Sequence, residues 1–112
     1  MANLIELVGE SKALNSKLFS LPRLLILSAL ELLREGDHIT FRDLKNGLKL
    51  SDGALYSNIN VLIESGFVKE EDVKLEKETL SGYSITPAGR AELRLVRAWM
   101  AKWVGDTHEK PG

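Results

Sequence analysis

The fold is decided by residues 51–90, which read SDGALYSNINVLIESGFVKEEDVKLEKETLSGYSITPAGR. In the first part of this stretch, apolar side chains recur at i, i+4, i+7 and i+8. The four positions are Leu55, Ile59, Leu62 and Ile63. A repeat of this kind places apolar side chains along one side of an α-helix, because the helix turns once every 3.6 residues or about that. The sequence therefore predicts a helix with one buried face and one small, polar face.

Both ends of this helix are marked in the sequence. Ser51 or Asp52 can accept hydrogen bonds from the free backbone N–H groups of the first turn. Gly66 can adopt the left-handed conformation that ends a helix, and Phe67 can then fold back onto Leu62. The helix is therefore predicted to run between these two signals.

A hairpin and a second helix follow without a linker. Residues 68–75 are rich in β-branched and charged residues with rough alternation, which predicts a strand. Ser81-Gly82 predicts a turn, and residues 83–85 predict the returning strand. Thr86 can then cap a helix in which Pro87 takes the first position, where a missing N–H costs nothing.

Two spaced motifs tie these parts together. They are Leu62-x-x-x-Gly66-Phe67-Val68 and Tyr83-x-Ile85-Thr86-Pro87-x-Gly89-Arg90. With these motifs the chain resembles the winged-helix transcriptional regulators of the multiple-antibiotic-resistance (MarR) and arsenical-resistance (ArsR) type, over roughly residues 21–95. The resemblance implies an α+β, mostly helical fold: a winged helix-turn-helix with a three-helix core, a small antiparallel β-wing, and N- and C-terminal flanking helices. It implies a DNA-binding regulator without specifying an operator or an effector.

The region before this stretch supplies further helices. Apolar spacing predicts a helix over residues 2–18 and a central helix over residues 23–35, which is apolar nearly all round. Residues 38–40 predict the first strand of a three-stranded sheet. Thr40, followed three residues later by an acid, predicts the cap of a short helix over residues 41–46.

The short helix is predicted to end at Asn46-Gly47. Residues 48–50 then form the turn into the helix that begins at Ser51. A short helix, a turn and a longer helix make up the predicted helix-turn-helix.

The chain is predicted to form one winged-helix domain. Its 112 residues can bury one core but are too few for a catalytic domain plus a sensor domain. The predicted parts are an N-terminal helix in residues 1–20, the winged-helix core in residues 21–85 with its wing at about 67–85, a C-terminal helix in residues 86–104, and a polar, disordered tail in residues 105–112.

Composition excludes several classes of protein. Without cysteine the chain cannot form a disulfide or a thiolate zinc site. Its histidines, His38 and His108, lie far apart, so no metal and no other cofactor is predicted. No apolar run approaches the roughly 20 residues needed to cross a bilayer, and the first three residues lack the basic start of a signal peptide. We therefore expect a cytoplasmic protein with no membrane partner. No catalytic constellation is present, which predicts a protein that is not an enzyme.

The helix beginning at Ser51 carries the residues expected to contact DNA bases. In a helix-turn-helix the second helix enters the major groove with its N-terminal residues nearest the bases. By register with the resembled family, the outward face holds Ser51, Asp52, Gly53, Tyr56, Ser57 and Asn60. Asparagine can bond adenine through two hydrogen bonds, and serine can donate or accept one. The alternative is a solvated polar face, which most helices have.

The charge balance is unusual for a DNA-binding domain, although a neutral protein can still have a basic face if its acids lie elsewhere. Fifteen basic and sixteen acidic residues give a net charge of −1, whereas a domain that neutralises phosphates usually has an excess of lysine and arginine. Residues 51–66 contain no basic residue, and residues 67–80 contain three lysines against five acids. A phosphate backbone repels an acidic wing unless its lysines all face one way. Either the wing contributes little to binding, or it serves another partner.

Basic residues occur outside this helix. Arg42, Lys45 and Lys49 lie on and after the first helix of the motif, where the fold would place them along the DNA backbone. The full set of predicted backbone contacts is Arg23, Arg42, Lys45, Lys49, Lys74 and Lys77. Ordinary surface charge is the alternative for all of them. A row on the last helix, formed by Arg90, Arg94 and Arg97, is predicted to be a solvated face.

The terminal helices are predicted to form a homodimer. The C-terminal helix carries an apolar stripe and two tryptophans, which need a surface to pack against, either the N-terminal helix of the same chain or the same helices of a second copy. Regulators of the resembled family read two half-sites through a twofold dimer, commonly built from N- and C-terminal helices. The predicted dimer contacts are Leu4, Leu7, Val8, Leu93, Val96, Trp99, Met100 and Trp103.

The sequence thus predicts a transcriptional regulator that binds double-stranded DNA as a homodimer. A winged helix that binds protein is an alternative, which the acidic wing would suit. A third reading is a ligand-responsive regulator with a pocket between the helix of Trp99 and the domain, although nothing in the sequence supports a small-molecule effector.

Overall fold

The computed structural model of the chain describes residues 4–108, with side chains described as far as residue 105. Five α-helices and three strands follow one another within this range, and a short 3-10 turn, Ser16–Leu18, lies between the first two helices. The bounds are α1 Leu4–Ser11, α2 Leu21–Glu31, β1 Ile39–Thr40, α3 Phe41–Leu48, α4 Asp52–Glu64, β2 Val68–Leu75, β3 Glu78–Ile85 and α5 Pro87–His108.

The two helices of the helix-turn-helix begin at the predicted caps. The Thr40 hydroxyl accepts a hydrogen bond from the Asp43 N–H at 3.2 Å, and the Ser51 hydroxyl accepts one from the Ala54 N–H at 3.1 Å. Each bond satisfies a backbone donor that the first helical turn leaves free. The starts of α3 and α4 are thereby confirmed.

The end of α4 is fixed by backbone bonds around Gly66, which has a φ of +81°. The Phe67 N–H donates to the Leu62 carbonyl at 2.9 Å, and the Gly66 N–H donates to the Ile63 carbonyl at 3.0 Å. This pair of bonds is the Schellman arrangement, which requires a left-handed residue after the helix. It turns Phe67 back into the core, as the sequence predicts.

The sheet is antiparallel with strand order β1-β3-β2. Its hairpin turn differs from the prediction: the loop is Glu76-Lys77, with Glu76 at a φ of +57°, and β3 runs through Ser81-Gly82. Gly82 lies in mid-strand because a Cβ there would stand 2.5 Å from Val73 Cγ2 and 2.9 Å from His38 Cβ. This glycine permits close packing and does not mark a turn.

The start of α5 is joined to the end of α4 through Thr86. The Thr86 hydroxyl donates to the Gly66 carbonyl at 2.6 Å and accepts from the Gly89 N–H at 3.0 Å. A Cβ on Gly89 would overlap the Phe67 carbonyl oxygen. The Thr86-Pro87-x-Gly89 motif is therefore explained by capping and by close contact with the backbone at Phe67.

Several predicted boundaries are wrong. The first helix does not run to residue 18, because the Asn15 side chain accepts from the Lys17 N–H and opens the 3-10 turn. The second helix ends at Glu31 and not at residue 35.

The other two differences concern α3 and α5. The third helix passes through Asn46-Gly47 and ends at Leu48, and the next residue, Lys49, has a φ of +56°. The last helix continues past residue 104 to His108, so the start of the predicted tail is helical, and residues 109–112 lie outside the described range.

One apolar core joins the helices to the root of the wing. Its buried members are Leu18, Ile26, Leu27, Leu30, Leu44, Leu55, Ile59, Leu62, Phe67, Val68, Tyr83, Leu93 and Val96. Burying a leucine or isoleucine side chain contributes about 1.5–3 kcal/mol. The three fully buried residues of α4, Leu55, Ile59 and Leu62, hold this helix against the domain with its polar face outward.

Candidate nucleic-acid interface

The outward face of α4 carries the predicted base-contact residues. Ser51, Asp52, Gly53, Tyr56 and Ser57 are exposed. Asn60, one turn further along the helix, is partly buried. These side chains and the capped first turn of α4 form a polar surface that we call the α4 face.

Two of the three predicted cations around the turn are available at the surface. Arg42 on α3 and Lys49 after it are exposed, and within the described residues neither forms an ion pair. The Lys45 ammonium instead lies 2.9 Å from the Asp52 carboxylate. This ion pair links α3 to the first turn of α4 and places a negative charge beside Lys45.

Arg23 is placed differently from the prediction of a free phosphate contact. It is partly buried, and its guanidinium donates from Nε to Asn58 Oδ1 at 3.0 Å and from Nη1 to the Lys17 carbonyl at 2.8 Å. Asn58 in turn donates from Nδ2 to the Ala54 carbonyl at 2.7 Å. This bonding could not be predicted from the sequence, because it joins residues 35 positions apart.

The wing presents different charges on its two faces. Lys69 and Glu71 form an ion pair on one face, where Glu71 also lies 3.1 Å from His38 Nε2. The bond and charge of Lys69, followed by His38, lower the pKa of Glu71. Because side chains alternate along a strand, Glu70, Asp72 and Lys74 share the other face. Lys74 and Lys77, the predicted wing contacts, are both exposed.

Tyr83 anchors the wing to the helix-turn-helix. Its ring lies 6.5 Å from that of Phe41 on α3, and its hydroxyl donates to Glu70 Oε2 at 2.8 Å. Burial, followed by the bond to Glu70, raises the pKa of Tyr83 to about 12. The buried phenol thus orients a carboxylate on the same wing face as Lys74.

The flank formed by α1 and α5 contains an aromatic cluster. The Trp99 indole donates to the Leu7 carbonyl at 2.7 Å, and its ring meets Phe19 edge-on at 5.9 Å between centroids. Trp103 stacks on Trp99 at 6.2 Å. Met100 packs against the core. These contacts join α1, the 3-10 turn and α5 within one chain.

The predicted dimer residues divide into three groups, one of which, Trp99 and Met100, is partly buried within the chain. Leu7, Leu93 and Val96 are fully buried within the chain, so their placement on a dimer surface is wrong. Leu4, Val8 and Trp103 remain 65%, 52% and 46% exposed.

Three apolar residues of α1 and α5 that the prediction left out are exposed. They are Ile5, 83% exposed, Leu95, 52% exposed, and Val104, 45% exposed. Helical spacing puts Ile5 one turn from Val8, a sign that the sequence already carried. We call the exposed group Leu4, Ile5, Val8, Trp103 and Val104 the apolar flank.

Two members of the predicted solvated arginine row support α2. Arg90 donates to the Glu31 and Leu33 carbonyls at 3.3 and 3.4 Å, beyond the end of that helix. Arg97 pairs with the Glu31 carboxylate at 2.5 Å. The prediction of a solvated face is therefore wrong for Arg90, which is partly buried, whereas Arg97 remains exposed beside its partner.

A groove of about 700 Å³ lies between the end of α2, the root of the wing and the start of α5. Its lining includes Leu33, His38, Glu71, Ile85 and Arg90. This is not the space beside Trp99 that the ligand-responsive reading requires. The Trp99 ring itself contacts the rings of Phe19 and Trp103.

Neither a metal-binding cluster nor a membrane-spanning helix occurs within the described residues. No group of three or more histidine or acidic side chains there could hold a metal ion. None of the helices in that range is long and apolar enough to span a membrane.

The sequence matches the family model of the winged helix DNA-binding domain over residues 23–104, and the chain belongs to this family. No curated protein is significantly similar to it in sequence.

Solved structures share the fold. A transcriptional regulator homologue protein from Pyrococcus horikoshii OT3 is similar with a TM-score of 0.80 and 24% identity, covering 93% of this chain and 99% of that one. A MarR family regulator from Silicibacter pomeroyi gives 0.58 and 21%, covering 96% and 68%. A PadR-like transcription factor from Bacteroides fragilis gives 0.60 and 21%, covering 77% and 87%.

Family membership establishes the class of protein. The chain has the DNA-binding fold of transcriptional regulators, which are not enzymes. The predicted winged-helix class and the MarR-like resemblance are confirmed.

Proposed function

We propose that the protein is a transcriptional regulator that binds specific double-stranded DNA sequences as a homodimer, with α4 in the major groove. The observation that carries the proposal is the α4 face, which combines a capped first turn with exposed hydrogen-bonding side chains. The N-terminal end of such a helix favours negative charge through its free N–H groups. The same end lies closest to the bases in a helix-turn-helix.

Base contacts are assigned to this face. Ser57 and Asn60 are the side chains suited to hydrogen-bond base edges, and Tyr56, 64% exposed, adds apolar contact area. Asp52 can accept from cytosine, while Gly53 lets the backbone come close to the DNA.

Backbone contacts are assigned mainly to the cations before α4. Arg42 and Lys49 are exposed and without acidic partners in the described chain, so they can neutralise phosphates at no cost of breaking an ion pair. Lys45 must share its charge with Asp52. Lys74 and Lys77 would act near acids of the wing, so each should contribute less.

The homodimer is supported by the apolar flank. Exposed apolar residues grouped on two adjacent helices are typical of an interaction surface. A second copy of the same flank would cover them through a twofold interface, which would also present two α4 helices to two half-sites.

A protein-binding winged helix is the second candidate, and the charge of the wing favours it. Residues 67–80 have a net charge of −2, and residues 51–66 contain no lysine or arginine. A partner with a basic surface would be attracted to such a wing.

A salt-dependent binding titration separates the two functions. Duplexes enriched from a random pool and a shuffled duplex are titrated by fluorescence anisotropy between low and near-physiological salt. A regulator should bind an enriched duplex about 10³-fold or more tightly than the shuffled one, with affinity that falls as salt rises. If enrichment yields no duplex that exceeds the shuffled control, sequence-specific regulation is excluded and the protein-binding function is favoured.

A further inference from the structure

We infer that Arg23 is a positioning residue that fixes the recognition helix α4 to the flank, and that it does not bind phosphate. This inference rests on the proposed function, because the consequence of the positioning is read in specific DNA binding. The inference is supported by two hydrogen bonds that the Arg23 guanidinium donates. Its Nε donates to Asn58 on α4, and its Nη1 donates to the Lys17 carbonyl in the 3-10 turn.

The α4 end of this connection is held in place. Asn58 is partly buried and follows Ser57 on the neighbouring outward face. Its amide uses both ends within the chain, accepting from Arg23 and donating to the Ala54 carbonyl one turn earlier. Asn58 is therefore committed to the interior side of α4, and any displacement of Arg23 is transmitted to the first two turns of that helix.

The other end of the connection, the 3-10 turn of the flank, is also held in place by its contacts with the core and α5. The 3-10 turn buries Leu18 completely in the core. On one side, the Asn15 N–H donates to the Glu92 carboxylate of α5 at 3.1 Å. On the other side, Phe19 packs edge-on against Trp99 of the same helix. The 3-10 turn is thus fixed to α5. Because Arg23 bonds the Lys17 carbonyl in this turn, its guanidinium is fixed relative to α5 as well.

The chemistry of the side chain explains why arginine is needed. A guanidinium is planar and holds its donors in a fixed fork, so one group can bond two acceptors at a set angle. An ammonium at the same position keeps the charge but cannot reproduce the fork. Both acceptors are uncharged, so the bonds leave the positive charge without an acid but fix its direction toward the interior.

The consequence for DNA binding follows from the symmetry of a dimer. Two α4 helices contact successive half-sites only if their separation matches one turn of DNA, about 34–36 Å. Because α5 belongs to the flank and α4 reads the groove, the connection through Arg23 sets this separation. Non-specific binding requires no such match, since it depends on phosphate charge alone.

The test compares Arg23→Lys with Arg94→Lys, which changes an exposed arginine of α5 that lies outside the proposed DNA contacts. Titrations use an enriched duplex and a shuffled duplex at several salt concentrations. Positioning predicts that Arg23→Lys lowers affinity for the enriched duplex about tenfold, leaves the shuffled duplex unchanged, and leaves the salt slope unchanged. Arg94→Lys should leave both affinities and the salt slope near the wild-type values. A phosphate contact at Arg23 predicts the opposite: near-normal binding for Arg23→Lys, and for Arg23→Ala an equal loss on both duplexes with a shallower salt slope.

A second variant tests the connection without DNA. Asn58→Ala removes the α4 end of the bond, so its effect on the free energy of unfolding and that of Arg23→Lys should be non-additive in the double variant. Additive effects would overturn the proposed connection. Non-additive effects together with no preferred duplex would retain the connection and exclude the regulator. A wild-type preference that neither single variant reduces would retain the regulator and overturn the positioning role.

Discussion

The helix-turn-helix and the flank differ in how much of their apolar surface is buried within the chain. On α3 and α4, Leu44, Leu55 and Leu62 are at most 1% exposed, and the outward side is polar. On the flank, an equally apolar outward side remains uncovered, with Ile5 83% exposed and Trp103 46% exposed. The helix-turn-helix therefore buries its apolar side within one chain, whereas the flank leaves apolar side chains exposed, which supports the proposed dimer.

The largest effect is expected from charging the flank. Ile5→Glu with Val8→Glu should convert a dimer of roughly twice the 12.5 kDa chain mass into a monomer, measured by light scattering. Affinity for a duplex with two half-sites should fall by about 10²–10⁴, because the second half-site contact is no longer intramolecular.

Leu32→Glu provides the matched control for this change. Leu32 is 85% exposed, but it lies at the end of α2 and outside the apolar flank. This variant should remain dimeric. A wild-type protein that is monomeric at high micromolar concentration would contradict the dimer outright.

The next effect concerns the junction where α5 leaves the helix-turn-helix. Gly89→Ala should lower the free energy of unfolding by about 1–3 kcal/mol, because the added methyl overlaps the Phe67 carbonyl and forces backbone displacement. Gly47→Ala on α3 meets no atom within 4 Å and should raise stability by about 0.5–1 kcal/mol. Chemical denaturation measures both, and equal effects would contradict the packing at Gly89.

A smaller effect distinguishes the cations of the helix-turn-helix from those of the wing. Arg42→Ala or Lys49→Ala should weaken binding to enriched and shuffled duplexes alike and reduce the salt slope by about 0.9. Lys77→Ala should change the slope less, since wing acids already reduce the local positive potential. A larger change for Lys77 than for Lys49 would identify the wing as the main backbone contact.

The ion pair at the start of α4 gives a related test. Asp52→Asn removes a negative charge 2.9 Å from Lys45 and frees that lysine for phosphate. Affinity for shuffled DNA should therefore rise and the salt slope should steepen. Unchanged binding would show that this end of α4 does not approach DNA.

The smallest effect at neutral pH concerns Tyr83. In a Tyr56→Phe background Tyr83 is the remaining tyrosine, and ultraviolet absorbance should give a titration midpoint of about 12. Since the folded pKa exceeds the ordinary value of 10.0, stability from this group is complete below pH 10 and is lost as pH rises toward 12. Glu70→Gln should lower the midpoint, and a midpoint near 10 would contradict the buried phenol.

The predictability of the fold depended on local signals. The caps at Thr40 and Ser51 and the left-handed Gly66 involve residues within a few positions of one another, so the sequence alone was sufficient to predict them. Gly82 was misinterpreted because the reason for a glycine there, contact with Val73 and His38, depends on three-dimensional packing.

The candidate site was predictable to a similar degree. Helical register placed Ser57 on the exposed side of α4, as observed. The roles of Arg23 and Lys45 could not be predicted, because their acceptors, Asn58 and Asp52, are supplied by another helix. The position of a basic residue in the sequence does not show whether its side chain is already bonded to other residues of the chain.

The most direct test of the central claim is a comparison of Ser57→Ala and Asn60→Ala with wild type on an enriched and a shuffled duplex. Asn46→Ala, on the exposed side of α3, serves as the control. If α4 reads bases, each α4 variant should lose about 1–3 kcal/mol on the enriched duplex and bind the shuffled duplex normally, because base contacts specify and phosphate contacts position. Binding by both variants that equals wild type on both duplexes would contradict base recognition by α4.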